Sequence, residues 1–166
     1  MTYELHAVIG GKTVLESACL SLKQTKVVVL NEPSLALVPV TSELREELEA
    51  TGGGISPSLD YSIFDRLKPA IAGWVAALSS DGVIAYVEAE FFGGSGGQSA
   101  VVWDKGRIVF GPVLTKWGMP GDRREVQSGS EMAINQALRL LGVGTDSRRD
   151  EFDMVGLGQA RRTERW

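Results

Sequence analysis

One ten-residue stretch, from Val83 to Phe92, constrains the fold more than any other part of the chain. Its odd-numbered residues are all apolar, its even-numbered residues include two glutamates, and side chains two positions apart lie on the same face of a strand. We therefore predict a long strand with one apolar face and one mixed face. Two shorter strand-like segments, 100–103 and 108–110, flank Asp104-Lys105-Gly106, which is typical of a hairpin turn.

Similar patterns predict the other elements. Alternating apolar residues indicate a strand over 3–9, and strand-like runs occur at 27–30 and 35–40, where Pro39 should place the strand at a sheet edge or end it. Helical spacing predicts helices over 14–22, from the N-cap Thr41 to a stop at Gly52, within 61–79 with Pro69 near the first helical position, and after the capping box Ser128–Glu131. We expect loops from Gly52 through Pro57 and over most of 111–127.

The order of these elements predicts a single α+β domain, with a mostly antiparallel sheet and helices packed on it. A doubly wound parallel sheet would need regular alternation of strand and helix, which residues 83–111 break. We assign the domain to residues 1–143. Residues 144–166 alternate blocks of charge with few large apolar side chains, so we expect an irregular tail that packs on the domain or binds a partner.

Charge is divided unequally along the chain. Residues 1–103 carry 6 Lys and Arg against 12 Asp and Glu, whereas residues 104–166 carry 11 against 9. This division argues against nucleic-acid binding, which needs a concentrated basic face. It favours a protein partner with a basic surface.

Ligands for a metal or redox centre are scarce. The chain has one histidine, His6, and one cysteine, Cys19, so it cannot form a zinc site from three or four nitrogen and sulfur ligands. We expect His6 on the half-exposed face of the first strand, and we predict no cofactor. No apolar run approaches the ~18 residues of a membrane helix, and no secretory signal is visible, so we expect a cytoplasmic protein without membrane contact.

Two neighbouring features mark a candidate site. Glycine occupies four of the six positions 93–98, which lets main-chain amides approach a ligand; because no helix follows, we interpret this stretch as a connection between two strands. Just before it, Glu88 and Glu90 lie on one strand face, with roughly 7 Å between their Cα atoms. Tyr86 and Phe92 share that face, and aromatic side chains beside acids are typical of a protein-binding surface.

These features predict a binding site to which we assign no catalytic and no metal-ligating residue. In the tail, Trp166 is a candidate anchor for a partner. The candidate binding residues are Tyr86, Glu88, Glu90, Phe92, Gly94, Gly96, Gln98, Trp103 and Trp166.

Several segments also carry a resemblance when they are taken together: 35–41, 85–94 with Gln98 and 102–103, and 150–153 with 156–158. They resemble a family of small, mostly uncharacterised bacterial proteins with a likeness to the immunity proteins of toxin competition systems. The Glu-Phe-Phe-Gly-Gly sequence at 90–94 is the most specific part. The resemblance implies a stoichiometric cytoplasmic inhibitor that binds a toxin, and it supplies no catalytic residues.

Three functions are therefore under consideration. The leading hypothesis is a non-enzymatic protein-binding module of the immunity type. One alternative is a metal-assisted hydrolase that uses Glu88 and Glu90 beside the Gly93–Gln98 loop. The other is a structural homo-oligomer formed through edge strands, and the oligomeric state is left open.

Overall fold

An antiparallel sheet of six strands, in the order β2-β3-β1-β4-β5-β6, is the centre of the computed structural model, which describes residues 2–52 and 58–166. The strands are β1 (Thr2–Gly11), β2 (Val28–Val29), β3 (Leu35–Pro39), β4 (Ile84–Phe92), β5 (Ser95–Asp104) and β6 (Arg107–Trp117). The helices are α1 (Lys12–Ala18), α2 (Ser42–Thr51), α3 (Pro69–Leu78), α4 (Ala133–Leu140) and α5 (Glu151–Val155). The predicted α+β fold with an antiparallel sheet is confirmed.

Helices cover both faces of the sheet, and we name each face after a β4 residue. The Val87 face packs against α4, α5 and the residues that follow α5. The Glu88 face packs against α1, α2 and α3. Successive side chains of β4 point to opposite faces of the sheet. Its odd-numbered residues therefore belong to the core of the Val87 face, and the even-numbered residues at its start belong to the core of the Glu88 face.

The local signals at element ends have direct counterparts in the structure. The Thr41 side chain accepts a hydrogen bond from the Leu44 amide at the start of α2, and Gly52 ends that helix in the left-handed conformation with φ of 79°. Pro69 occupies the first turn of α3. The turn between β5 and β6 contains Lys105 and Gly106, both with positive φ. The rest of the loop expected through Pro57 lies outside the described residues.

Two predicted loops are shorter in the structure than expected. The strand β6 continues through the expected loop as far as Trp117, because register shifts against β5 accommodate Gly111 and Pro112. The glycine-rich stretch is also mostly strand, since Gly93 and Gly94 alone make the turn and β5 begins at Ser95. Gly96 is a strand residue whose missing side chain leaves room for the ring of Phe91.

The segment 144–166 contains α5 and a short 3₁₀ turn at Thr163–Arg165. Asn135 of α4 connects this segment to the domain: its side-chain amide donates to Asp150, and its side-chain oxygen accepts from the Phe152 amide. Val155 and Trp166 lie in the core of the Val87 face. Within the described part of the chain, no helix is long and apolar enough to cross a membrane.

Candidate functional site

A cavity of about 490 Å³ opens on the Glu88 face, at the end of the sheet that α1, α2 and α3 leave uncovered. Its floor consists of neighbouring rows of the sheet. One row holds His6, Glu88, Ser99 and Leu114, which are cross-strand partners from β1 to β6. The segment 62–65, just before α3, forms one wall.

Glu88 fixes that wall to the sheet. Its carboxylate accepts main-chain hydrogen bonds from Asp65 at 2.6 Å, Arg66 at 2.7 Å and Leu67 at 3.0 Å, and the Tyr86 hydroxyl donates to it at 2.8 Å. The residue is only 6% exposed. Burial raises the pKa of Glu88, although the four donors act in the opposite direction. Burial also raises the pKa of Tyr86. Glu88 therefore holds the start of α3 in place.

His6 lies beside this carboxylate, where Arg66 connects several polar groups. The His6 Nδ1 is 3.2 Å from the Thr163 hydroxyl oxygen and Nε2 is 3.4 Å from an Asp65 carboxylate oxygen. Arg66 pairs with Glu4 at 3.0 Å and with Glu164 at 3.2 Å. The prediction that His6 is half exposed is wrong, because the residue is buried under these groups. Burial, with a further contribution from the Arg66 charge, lowers the pKa of His6 to about 4.

This lowered pKa predicts a pH-dependent stability. The imidazole of the unfolded chain takes up a proton near pH 6.5, whereas the folded protein resists protonation until about pH 4. Protonation of His6 therefore does not reduce the free energy of unfolding above pH 6.5, and it reduces this free energy progressively as the pH falls toward 4. Between pH 7 and pH 4 the wild type should lose about 3 kcal/mol more free energy of unfolding than His6→Asn. Urea unfolding at intervals of half a pH unit measures the difference, and parallel curves for the two proteins would contradict the assignment.

The outer part of the cavity is exposed and mixed in character. Phe92, at the end of β4, is 67% exposed and Met119 is 40% exposed. The Asp65 side chain is 79% exposed, and Glu90 is also exposed. Glu90, Gly97 and Lys116 are cross-strand partners in one row, and the Lys116 side chain lies over Gly97. The rim therefore offers apolar surface beside two carboxylates and one ammonium group.

The structure separates the candidate binding residues into three groups. Glu88, Glu90, Phe92 and Gly96 line the cavity on the Glu88 face. Gly94 and Gln98 line a second cavity on the opposite face. The side chains buried in the two cores are Tyr86, Trp103 and Trp166.

Sequence patterns did not identify four residues of this cavity: His6 as a buried group, Asp65, Lys116 and Met119. They come from distant parts of the chain and meet only when the sheet is assembled. Lys116 and Met119 both fall within 111–127, which was predicted to be mostly loop. No local spacing connects Asp65 with Glu88, so no sequence signal could have found their contact.

The acidic side chains at this site are dispersed in the described part of the structure. Among residues 2–52 and 58–166, no three His, Cys, Asp or Glu side chains lie close enough together to hold a metal ion. The Glu88 carboxylate is occupied by its four donors, and Glu90 stands apart from it on the solvent side.

No protein-family model, curated protein or solved structure matches the chain.

Proposed function

We propose that the protein is a non-enzymatic protein-binding module that engages its partner through the rim of the cavity on the Glu88 face. The observation that carries the proposal is the exposed Phe92 ring, which lines the open cavity together with Met119. Protein interfaces are enriched in aromatic residues and methionine, and a large exposed apolar group beside a concave surface is typical of such a site.

The charges at this rim favour a basic group on the partner. Asp65 and Glu90 place two exposed carboxylates at the mouth of the cavity. Among the described residues that line the cavity, Lys116 is the one lysine or arginine. An arginine or lysine of the partner can pair with a carboxylate while it packs on the face of Phe92. From the likeness to immunity proteins, we further propose that this partner is a toxin and that binding inhibits it.

The two alternative functions have weaker support. A hydrolase would need Glu88 to act on a substrate, but its carboxylate is committed to the start of α3. Oligomerisation through sheet edges would need a long unpaired strand. The edge strand β2 has two residues, and β6 is interrupted by Pro112, which has no N–H to donate.

Site-specific crosslinking tests the proposed surface. We expect a photoreactive benzoylphenylalanine at position 92 to crosslink a defined protein in cells, whereas the same group at position 109 should not. Val109 is a matched control because it is 54% exposed and lies on β6, away from the cavity lining.

With the captured partner purified, Phe92→Ala and Glu90→Lys should each weaken binding at least tenfold, and Val109→Ala should leave it unchanged. Raising the salt concentration should weaken binding of the wild type but much less that of Glu90→Lys. Equal crosslinking from positions 92 and 109, or none from position 92, would contradict the proposal.

A further inference from the structure

A second cavity, of about 450 Å³, opens on the Val87 face of the sheet, opposite the proposed protein-binding surface. We propose that it binds a small aromatic carboxylate, whose ring packs among Tyr3, Phe91 and Phe152 and whose carboxylate pairs with Arg161. This inference is independent of the proposed function, since it rests on residues of the other face.

Three aromatic residues that line the second cavity lie in one row of the sheet, together with Gly96, which lines the first cavity. Tyr3, Phe91, Gly96 and Trp117 are successive cross-strand partners on β1, β4, β5 and β6. Four strands place Tyr3 and Trp117 roughly 14 Å apart at their Cα atoms. A Cβ on Gly96 would overlap the main-chain oxygen of Glu90 and the ring of Phe91, so this position has room only for glycine. The row therefore presents aromatic side chains from three strands to the cavity.

The aromatic wall is held in place before any ligand binds. The Tyr3 hydroxyl donates to the main-chain oxygen of Leu157 at 2.8 Å, which fixes the orientation of its ring. The Tyr3 ring centroid is 5.7 Å from that of Phe152, in an edge-to-face arrangement, and 6.2 Å from that of Phe91. Aromatic rings prefer such partners, so a planar aromatic ligand can extend the cluster at little entropic cost.

Polar groups on the opposite wall are mostly satisfied by each other. The two carboxylate oxygens of Asp150 accept from the Asp153 amide and from the Asn135 side chain. Asn135 also donates to the main-chain oxygen of Gly129 and accepts from the Phe152 amide. This wall therefore positions Phe152 and Gly129 and leaves recognition to other groups.

Two donors that line the cavity have no partner among the residues that the structure describes. Gln98 is only 5% exposed; its oxygen accepts from the Ile134 amide, while its Nε2 has no hydrogen bond to any residue the structure describes. The Arg161 guanidinium likewise makes no ion pair with the described residues. Both groups are therefore available to hydrogen-bond an oxygen atom of a ligand in the cavity.

These groups define the ligand class. The rings favour a flat apolar body, Gln98 supplies an amide donor, and Arg161 supplies a positive charge that can hold a carboxylate in bidentate geometry. The cavity also contains the Asp150 carboxylate, but both of its oxygens already accept hydrogen bonds from the protein, whereas Arg161 has no ion pair among the described residues. This difference favours a carboxylate over an aromatic amine. The volume fits a molecule of one or two rings.

Isothermal titration calorimetry tests the site with three probes: benzoate, 4-hydroxyphenylacetate and indole-3-acetate. We expect at least one to bind with a stoichiometry of one per chain. Its uncharged amide analogue should bind at least tenfold more weakly, and Arg161→Gln should weaken binding of the carboxylate roughly tenfold to a hundredfold. Arg162→Gln is the matched control, since this neighbouring exposed arginine does not line the cavity, and it should bind like the wild type.

Phe92→Ala should also leave binding of the probe unchanged, which separates this inference from the proposed protein partner. Amide NMR signals of Phe91, Gly96 and Gln98 should shift on titration. The inference is overturned when none of the three carboxylates binds folded protein at millimolar concentration, when Arg161→Gln binds as tightly as Arg162→Gln, or when carboxylate and amide bind equally.

Discussion

Glu88→Ala should lower the free energy of unfolding by about 3 to 5 kcal/mol, because the substitution removes the acceptor for four hydrogen-bond donors at once. Three of these donors are main-chain amides of residues 65–67, just before α3, which cannot turn toward another partner. The fourth is the hydroxyl of Tyr86, which is fully buried. Glu88→Gln keeps one oxygen acceptor, so we expect about half of that loss.

Glu90→Ala is the matched control. Glu90 lies two residues further along the same strand face but is exposed, so its loss should change the free energy of unfolding by less than about 0.5 kcal/mol. Urea denaturation of the three variants and the wild type at pH 7 measures the difference. Similar stabilities for Glu88→Ala and Glu90→Ala would show that the carboxylate does not hold the start of α3.

Trp166→Ala is expected to be the second large loss, of about 3 to 5 kcal/mol. Trp166 is 7% exposed and belongs to the core of the Val87 face. Its main-chain oxygen also accepts from the Lys26 ammonium group at 2.5 Å, so removal of the ring loosens a contact with the first half of the chain. The residue thus acts in folding rather than as an exposed anchor for a partner.

Phe92→Ala provides the comparison, since Phe92 is the candidate binding residue with the largest exposed ring. It should leave the melting temperature nearly unchanged while it abolishes most of the binding described above. Trp166→Ala should lower the melting temperature but leave binding nearly unchanged at temperatures where the variant stays folded. Thermal unfolding of both variants decides this, and equal stability of Trp166→Ala and Phe92→Ala would contradict the burial of the indole ring.

The parts of the fold that depend on neighbouring residues were predictable. The alternation over 83–92, the Asp104-Lys105-Gly106 turn, the cap at Thr41 and the position of Pro69 all act within a few residues, and each has its counterpart in the structure. Errors arose where glycine and proline suggested a loop. Gly96 and Pro112 instead lie in strands, one because an aromatic ring covers it and the other because a bulge accommodates it.

The candidate site was harder to predict, because its residues differ by contacts that are distant in sequence. Glu88 and Glu90 have the same chemistry, strand and face, so their local pattern predicts one role for both. Their environments differ because residues 65–67 cover Glu88 and leave Glu90 in solvent. Which of two alternating carboxylates becomes structural is decided by tertiary packing.

The bulge between β5 and β6 has a consequence for how such a chain can change by insertion or deletion. Successive residues of a strand face opposite sides, so Lys116 reaches the cavity on the Glu88 face and Trp117 the cavity on the Val87 face. Loss of one residue near Gly111 would turn the end of β6 over. The Lys116 ammonium group would then enter the cavity on the Val87 face, and the Trp117 indole ring would enter the cavity on the Glu88 face. A single deletion would thus change the side chains that line both cavities, which no single substitution could do.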